Sequence, residues 1–146
     1  MASPMQISPG ELGRVWAAAY EGKTARLCLA LNTGGLTKSS TTAQWDAVEL
    51  SGNGYSRVSW TLPAGAFDVT ADRFQVDERL CSFTASANGA GLTYDTVYLV
   101  IGSGSPTTWA TSIYGLFTEN PNIALPPGAP RSYRIRLFTD DVIVTA

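Results

Sequence analysis

The sequence contains no histidine and has little charge of either sign. Without histidine the chain lacks the most common general base and the most common metal ligand, so neither a Ser-His-Asp nor a Cys-His catalytic group can form. Charged residues make up 15% of the 146 residues, against about a quarter in average domains. This low share suits a protein that packs against others, and it equally suits an all-β surface rich in Ser, Thr and Gly.

Basic patches and long apolar runs are missing as well. The net charge is −2, with no block of like charge, so the chain has nothing with which to displace counterions from nucleic acid. No apolar run approaches the roughly 20 residues that span a bilayer. The first residues, MASPMQISPGELGR, lack a basic segment followed by an apolar one, which predicts no signal peptide and synthesis in the cytoplasm. We expect neither nucleic acid nor a membrane as a partner.

Only two cysteines are present, Cys28 and Cys81, each within an apolar, strand-like segment. In a reducing compartment we expect both to be buried free thiols, although a bridge between them is the alternative. Two cysteines so far apart, with no histidine, do not make a zinc site.

Most of the chain alternates between short apolar segments and turns rich in Gly, Pro and Asn. Residues 11–22 have the apolar spacing of a short helix. ARLCLALN predicts a half-buried strand with alternate leucines on one face. Residues 33–50 predict a loop with one helical turn around residues 44–49.

The later segments predict further strands. In YSRVSWTL we expect Val58, Trp60 and Leu62 to face inward and Tyr55, Arg57 and Ser59 outward. RFQVDERLCSFTAS fits one bent strand or two short ones. Residues 107–118 predict another strand, and residues 120–130 predict a rigid proline-rich loop. In the last segment, Tyr133, Ile135 and Leu137 share one face, and Arg134 and Arg136 share the other.

One segment, DTVYLVIG, is apolar on both sides of a predicted strand. Val97, Leu99 and Ile101 lie on one side, and Tyr98 and Val100 lie on the other. Both faces of such a strand must be covered. The cover comes either from two layers of its own domain or from a neighbouring molecule.

Seven or eight short strands with one early helix predict an all-β fold. We expect an antiparallel, jelly-roll-like β-sandwich with a short N-terminal helix. Residues 1–10 would form a flexible arm and residues 11–146 a single domain.

Residues able to carry catalysis are few. Asp140–Asp141, Asp77–Glu78 and the pair Asp68/Asp72 are the carboxylates that would bind a cation or act as the acid/base pair of a glycosidase, but none has the spacing of a calcium loop. The runs GNG, GAG and GSGS precede strands and fit turns rather than phosphate-binding loops. We therefore predict no catalytic residues, no cofactor and no metal.

Aromatic and arginine residues favour an interaction surface. Trp and Tyr are ordinary residues of β-sheet cores and subunit interfaces, although a sugar-binding platform is the alternative. The basic residues are mostly arginine, which is enriched at protein interfaces, although a solvated strand face explains Arg134 and Arg136 equally well. The predicted interface residues are Trp109, Tyr114, Asn120, Pro126, Pro127, Arg131, Tyr133, Arg134 and Arg136.

The order of segments resembles a group of small all-β virion proteins of tailed bacteriophages. A helix ending at Gly22-Lys23-Thr24 leads into ARLCLALNT, then VELSGNGYSRVSWT, SFTASANGAGLTYDTVYLVIG and SIYGLFTENPNIALPPGAPRSYRIRLF. The most specific piece is ELSGNGYSR, residues 49–57, which matches that group's E-x-S-G-x-G-Y-x-R pattern. The similarity covers roughly residues 11–139, and residues 73–81 depart from it.

This resemblance implies a non-enzymatic structural protein of the virion, made in the host cytoplasm. The expected role is a capsid decoration or cement protein that binds the major capsid protein, or another virion protein, as a homotrimer or dimer. The alternative is a tail-fibre or baseplate module that binds a host surface glycan.

Overall fold

The computed structural model describes residues 8–68, 70, 73–102, 113–137 and 142–145. Within these ranges the chain forms two helices and nine strands, one or two strands more than the sequence predicts. In chain order they are α1 (Pro9–Ala19), β1 (Thr24–Ala30), α2 (Thr42–Val48), β2 (Val58–Thr61), β3 (Ala66–Asp68), β4 (Arg73–Gln75), β5 (Arg79–Thr84), β6 (Leu92–Gly102), β7 (Gly115–Leu125), β8 (Pro130–Leu137) and β9 (Val142–Thr145).

Both helices begin at side-chain caps. The Ser8 hydroxyl accepts a hydrogen bond from the Glu11 amide and starts α1 two residues before the predicted position. Thr41 and Gln44 form a reciprocal capping box at the start of α2. The predicted helical turn around residues 44–49 is therefore confirmed as a short, well-capped helix.

The strands form antiparallel sheets, as the sequence predicts. A four-stranded sheet has the order β2-β1-β6-β7, a three-stranded sheet has the order β5-β8-β9, and β3 pairs with β4. The pairing of β1 with β6 is continuous, from Thr24 opposite Gly102 to Ala30 opposite Thr96. The two larger sheets share one core, in which residues of β1 and β6 pack with residues of β5 and β8.

The doubly apolar strand β6 is covered on both sides by its own chain. Val97, Leu99 and Ile101 lie in the core shared with the three-stranded sheet. Tyr98 and Val100 lie in a second cluster with Trp45 of α2. The four-stranded sheet is thus a middle layer, and β6 needs no neighbouring molecule to cover it.

Helix α1 covers one end of the shared core. Trp16 is 1% exposed, and its indole N–H donates to the Pro63 carbonyl at 3.0 Å. Its ring lies 5.1 Å from that of Tyr20 and 6.2 Å from that of Phe74 on β4. The predicted arm contributes to this helix from Pro9 onward, and residues 1–7 of the arm lie outside the described residues.

Two predictions about strand faces are wrong. Strand β1 is buried on both faces rather than half-buried, because α2 covers the face that was expected to be open. Tyr55 points inward rather than outward: its ring packs on the shared core, and its hydroxyl accepts a hydrogen bond from the Leu29 amide at 3.1 Å.

The predicted proline-rich loop is also wrong over residues 120–125, which belong to β7. Residues 119–122 stand opposite the single position Asp95, where the register of β6 and β7 shifts. Pro121 is tolerated because β7 is an edge strand and the chain bulges there. The turn is confined to residues 126–129, where the Ala129 amide donates to the Pro126 carbonyl. Residues 107–112 of the predicted preceding strand lie outside the described residues.

The predictions for residues 73–86 and for the two faces of β8 are confirmed. Residues 73–86 form two short strands, β4 and β5. In β8, Tyr133, Ile135 and Leu137 are buried, and Arg134 and Arg136 are exposed.

Both cysteines are buried free thiols, as predicted. Burial raises the pKa of Cys28 to about 12 and that of Cys81 to about 11. Because the raised pKa favours the neutral thiol, its contribution to stability is complete below the pKa of about 8.5 that an unfolded thiol has. That contribution is lost as the pH rises toward the folded values.

We expect neither thiol to react with iodoacetamide in the native protein at pH 8, since the thiolate is the reactive form. Both should react fully in urea. Mass spectrometry of the labelled protein measures this. Rapid labelling of either cysteine without denaturant would contradict the burial described here.

Candidate interaction surface

The predicted interface residues fall in three different environments. Pro126 and Pro127 are exposed in the turn before β8, and Tyr114 is half-buried just before β7. Asn120 lies in the bulged part of β7, but its side chain is not among those described. Trp109 lies outside the described residues. The remaining four, Arg131, Tyr133, Arg134 and Arg136, lie on β8 and divide between its two faces.

Tyr133 is fully buried and so is not a surface residue. Its hydroxyl donates to the Glu119 carboxylate at 2.7 Å, and the Tyr94 hydroxyl lies 2.6 Å away. Arg131 also donates to Glu119, at 3.1 Å, and its guanidinium lies 5.6 Å from the centre of the Tyr133 ring. These four residues form the tyrosine cluster, which joins β6 and β7 of one sheet to β8 of the other.

The tyrosine cluster holds the two sheets together through hydrogen bonds among buried or half-buried side chains. Because Tyr133 donates its only hydroxyl hydrogen to Glu119, Tyr94 is the donor in the bond between the two tyrosines. Burial raises the pKa of both tyrosines, so they stay neutral near pH 7. Glu119 is held by two donors and is only 13% exposed.

Arg134 and Arg136 lie on the opposite face of β8, the outer face of the three-stranded sheet. Their side chains are 63% and 44% exposed, respectively. Each donates to a different oxygen of Glu78, at 3.1 and 3.5 Å. Sequence reasoning placed these arginines on the correct face of the strand.

Sequence reasoning missed Leu80, which lies beside them. Leu80 is 56% exposed and stands directly opposite Arg134 in the pairing of β5 with β8. The signal was present in RLCSFT: once Cys81 and Phe83 face the core, alternation puts Leu80 on the polar side with Ser82 and Thr84. Among the described residues, Val15 on α1 is the other large hydrophobic residue that is strongly exposed.

We use the name outer face for the surface formed by β5, β8 and the residue just before β5. Its described side chains are Glu78, Leu80, Ser82, Thr84, Pro130, Ser132, Arg134 and Arg136. The hydroxyls of Ser82 and Ser132 lie 2.7 Å apart across the strand pair. Arginine is enriched at protein interfaces, and Leu80 places an exposed apolar side chain beside two arginines on this face.

The motif ELSGNGYSR forms a second polar cluster, and this one is largely inside the molecule. The Glu49 carboxylate is 5% exposed. It accepts hydrogen bonds from the Tyr55 hydroxyl at 2.6 Å and from Arg57 Nε at 3.1 Å. We call these three residues the motif cluster. Its bonds tie the end of α2 to the segment that precedes β2, so the motif is a structural element.

The central residues of the motif form a turn that holds another loop. Gly52, Asn53 and Gly54 all have positive φ, at 73°, 51° and 82°. The Asn53 carbonyl accepts a hydrogen bond from the Ser86 amide at 2.7 Å. A Cβ on Gly54 would lie 2.7 Å from that same nitrogen. Glycine is therefore needed at position 54 for both its conformation and its lack of a side chain.

Replacing Gly54 with alanine is expected to lower the free energy of unfolding by about 2 kcal/mol, from the strained φ and the close contact together. Gly52→Ala introduces the same backbone strain at positive φ but no close contact, since nothing lies within 4 Å of the added Cβ. It should lower the free energy of unfolding by about 1 kcal/mol. Gly34→Ala, where the φ is ordinary and the space is open, should change stability by less than about 0.5 kcal/mol. Urea unfolding measures all three. Equal losses at positions 54 and 34 would contradict this role.

A third polar cluster lies between α2 and the four-stranded sheet. Arg26 of β1 is fully buried, and its Nη2 atom lies 2.8 Å from both oxygens of Asp46. The Tyr98 hydroxyl donates to the same carboxylate at 3.0 Å. This ion pair attaches α2 to the middle layer of the fold.

The described residues include no cluster of side chains suited to binding a metal ion. They contain no group of three or more cysteine or acidic side chains placed to hold a metal ion. Two of the carboxylates singled out in the sequence are described: Glu78 pairs with arginines, and Asp77 is exposed. The others lie outside the described part of the chain, namely Asp72, Asp140, Asp141 and the side chain of Asp68. No helix in the described part is long and apolar enough to cross a membrane.

No family model matches this sequence, and no curated protein or solved structure is significantly similar to it. The resemblance to virion proteins stays a prediction from short motifs, the most specific of which forms a structural cluster here.

Proposed function

We propose that this protein is a non-enzymatic structural protein of a bacteriophage virion, and specifically a capsid decoration or cement protein. In this proposal it binds the major capsid protein shell as a homotrimer or dimer and acts in the virion. A jelly-roll connection of the strands is part of the same proposal. The observation that carries it is Leu80, a large aliphatic side chain left 56% exposed beside two arginines on a sheet face.

The polar clusters support a binding role over a catalytic one. The tyrosine cluster, the motif cluster and the Arg26–Asp46 pair each join two separate elements of the fold. Their carboxylates already accept hydrogen bonds from arginine and tyrosine. A general acid or base needs instead to reach a substrate within hydrogen-bond distance.

The proposed mechanism is the addition of binding energy at many equivalent sites. Specific protein interfaces bury on the order of 1,200–2,000 Å². A decoration protein that bridges neighbouring capsid subunits would gain such an interface at each position of the symmetric shell. The sum would oppose the internal pressure of packaged DNA.

The described aromatic residues do not favour the glycan-binding alternative, which needs an exposed tryptophan or tyrosine at the rim of a loop. In the described ranges every tryptophan and tyrosine is at least half-buried. Trp45, Tyr94, Tyr98 and Tyr133 are completely buried.

Gel densitometry of purified virions, with antibody labelling under the electron microscope, tests the proposal. A decoration protein should be present in numbers comparable with the major capsid protein, and the label should lie over the head. A small copy number with label on the tail would favour the adhesion module. Absence from the particle, or turnover of a small molecule by the purified protein, would overturn the proposal.

A further inference from the structure

The outer face has a chemical character that points to a particular kind of partner. Leu80 and Arg134 stand opposite each other across the strand pair, and Arg136 follows on the same side. The two serine hydroxyls next to them bind each other. Among the described side chains of this face, the largest that project for contact are therefore the aliphatic side chain of Leu80 and the two guanidinium groups.

The guanidinium groups retain most of their capacity to donate hydrogen bonds. A guanidinium carries five N–H donors, and Glu78 accepts one donor from each arginine. Because both side chains are well exposed, a carboxylate arriving from outside can reach them. Arginine binds carboxylates with two parallel hydrogen bonds, which fixes the geometry as well as adding energy.

The described side chains of the outer face carry a net positive charge. They include two arginines and one glutamate, and the neighbouring Asp77 and Arg79, both exposed, cancel each other. The residues of β9, at the far edge of the same sheet, carry no charge in the sequence. A second copy of this face would bring like charges together, which opposes association.

We propose that the outer face binds a partner protein surface on which a carboxylate lies beside an aliphatic side chain. The carboxylate pairs with Arg134 and Arg136, and the aliphatic side chain packs on Leu80. This inference rests on the proposed function, in which the partner surface belongs to the capsid shell. It makes the outer face the capsid-binding site, and it places any contact between copies of this chain elsewhere on the molecule.

The test measures binding of the purified full chain to phage heads that were assembled without it, using cosedimentation. Leu80→Ser and Arg134→Glu are each expected to weaken binding at least about tenfold, as central interface residues do. Helix α1 offers a matched control pair, since Arg14 is 69% exposed and Val15 is 45% exposed. Arg14→Glu and Val15→Ser should change binding by less than about twofold.

Salt adds a second measurement, because a charge pair at an exposed interface is screened. Binding of the wild-type chain should weaken as salt is raised, and Arg134→Glu should bind with less dependence on salt. Leu80→Ser and Val15→Ser are at exposed positions, so these variants should unfold at the same urea concentration as the wild type. Arg134→Glu and Arg14→Glu also remove surface ion pairs, with Glu78 and Glu11, and should unfold at a slightly lower urea concentration. All four should be folded under the binding conditions, and Leu80→Ala or Arg134→Gln replaces a variant that is not.

Three results would overturn the inference, and they are distinguishable. If the wild-type chain does not bind heads, both the proposed function and this inference fail. If the wild type binds and the outer-face variants bind equally well, the inference fails and the proposed function stands. If Leu80→Ser or Arg134→Glu abolishes self-association of the purified chain, the face binds a second copy instead of an acidic partner.

Discussion

Replacing Trp45 with alanine is expected to lower the free energy of unfolding by about 3–5 kcal/mol, the usual loss when a large buried aromatic side chain is removed. Trp45 is completely buried, and its ring lies 5.3 Å from that of Tyr98. It is the part of α2 that covers the second face of β6. Urea unfolding followed by circular dichroism measures the loss.

The two thiols show whether the loss comes from that face. Cys28 lies in the cluster with Trp45, whereas Cys81 lies in the core shared by the two sheets. In Trp45→Ala we expect iodoacetamide to label Cys28 faster relative to Cys81 than in the wild type. Trp16→Ala is the matched control, because Trp16 is equally buried but lies in the shared core.

Trp16→Ala should be similarly destabilised without this preference for Cys28. If Trp45→Ala loses less than about 1 kcal/mol, then α2 is not a necessary cover of the sheet. Equal acceleration of both thiols in Trp45→Ala would show general unfolding instead of local exposure of one face.

Replacing Asp46 with alanine is expected to cost about 3 kcal/mol, because it leaves the charge of Arg26 buried without its carboxylate. The value is at the low end for a buried pair, since Asp46 is 34% exposed and solvent screens part of the interaction. The Tyr98 hydroxyl loses its acceptor in the same variant.

The reverse substitution should be milder. Arg26→Met leaves Asp46 charged, but Asp46 is near the surface and water can solvate it. The double variant Arg26→Met/Asp46→Ala should recover much of the stability that Asp46→Ala loses, as replacement of buried pairs by apolar residues often does. A double variant whose loss equals the sum of the two single losses would show that the two residues do not act as a pair.

Local patterns predicted the individual strands well where alternation was strict. In β8 a period of two predicts one buried and one exposed face, and the structure confirms it. The buried residues are Tyr133, Ile135 and Leu137, and the exposed residues are Arg134 and Arg136. The same rule predicted the wrong direction for the Tyr55 side chain. Tyr55 is not part of a strand: it precedes β2 and follows a turn of three residues with positive φ. The inward direction of its ring depends on Glu49 and Leu29, which are distant in sequence.

The prediction of a loop over residues 120–125 was wrong because it relied on the prolines. Pro121 removes a backbone donor, which favours a loop when only neighbouring residues are considered. Whether a strand tolerates it depends on its place in the sheet. The edge position of β7 and its bulge opposite Asp95 are set by pairing with β6, some 25 residues earlier in the chain.

For the candidate surface, the sequence was sufficient to place Arg134 and Arg136 on one side of a strand. It did not identify Leu80 as their neighbour, because the two strands meet only through pairing of residues more than 50 positions apart. The ELSGNGYSR motif was visible in the sequence, but its role was not. Only the structure shows that the motif forms an internal cluster, because the fold encloses the Glu49 side chain.

By itself, the sequence determined that β6 must be covered on both sides. Successive side chains of an extended chain point to opposite faces, and in β6 the side chains on both faces are apolar. Only the tertiary structure decided that the cover is α2 on one side and the three-stranded sheet on the other, both from the same chain. The physical reason is that burial of apolar area has no direction and no preferred partner. Long-range packing alone determines which surface supplies the cover and which, like the outer face, is left open.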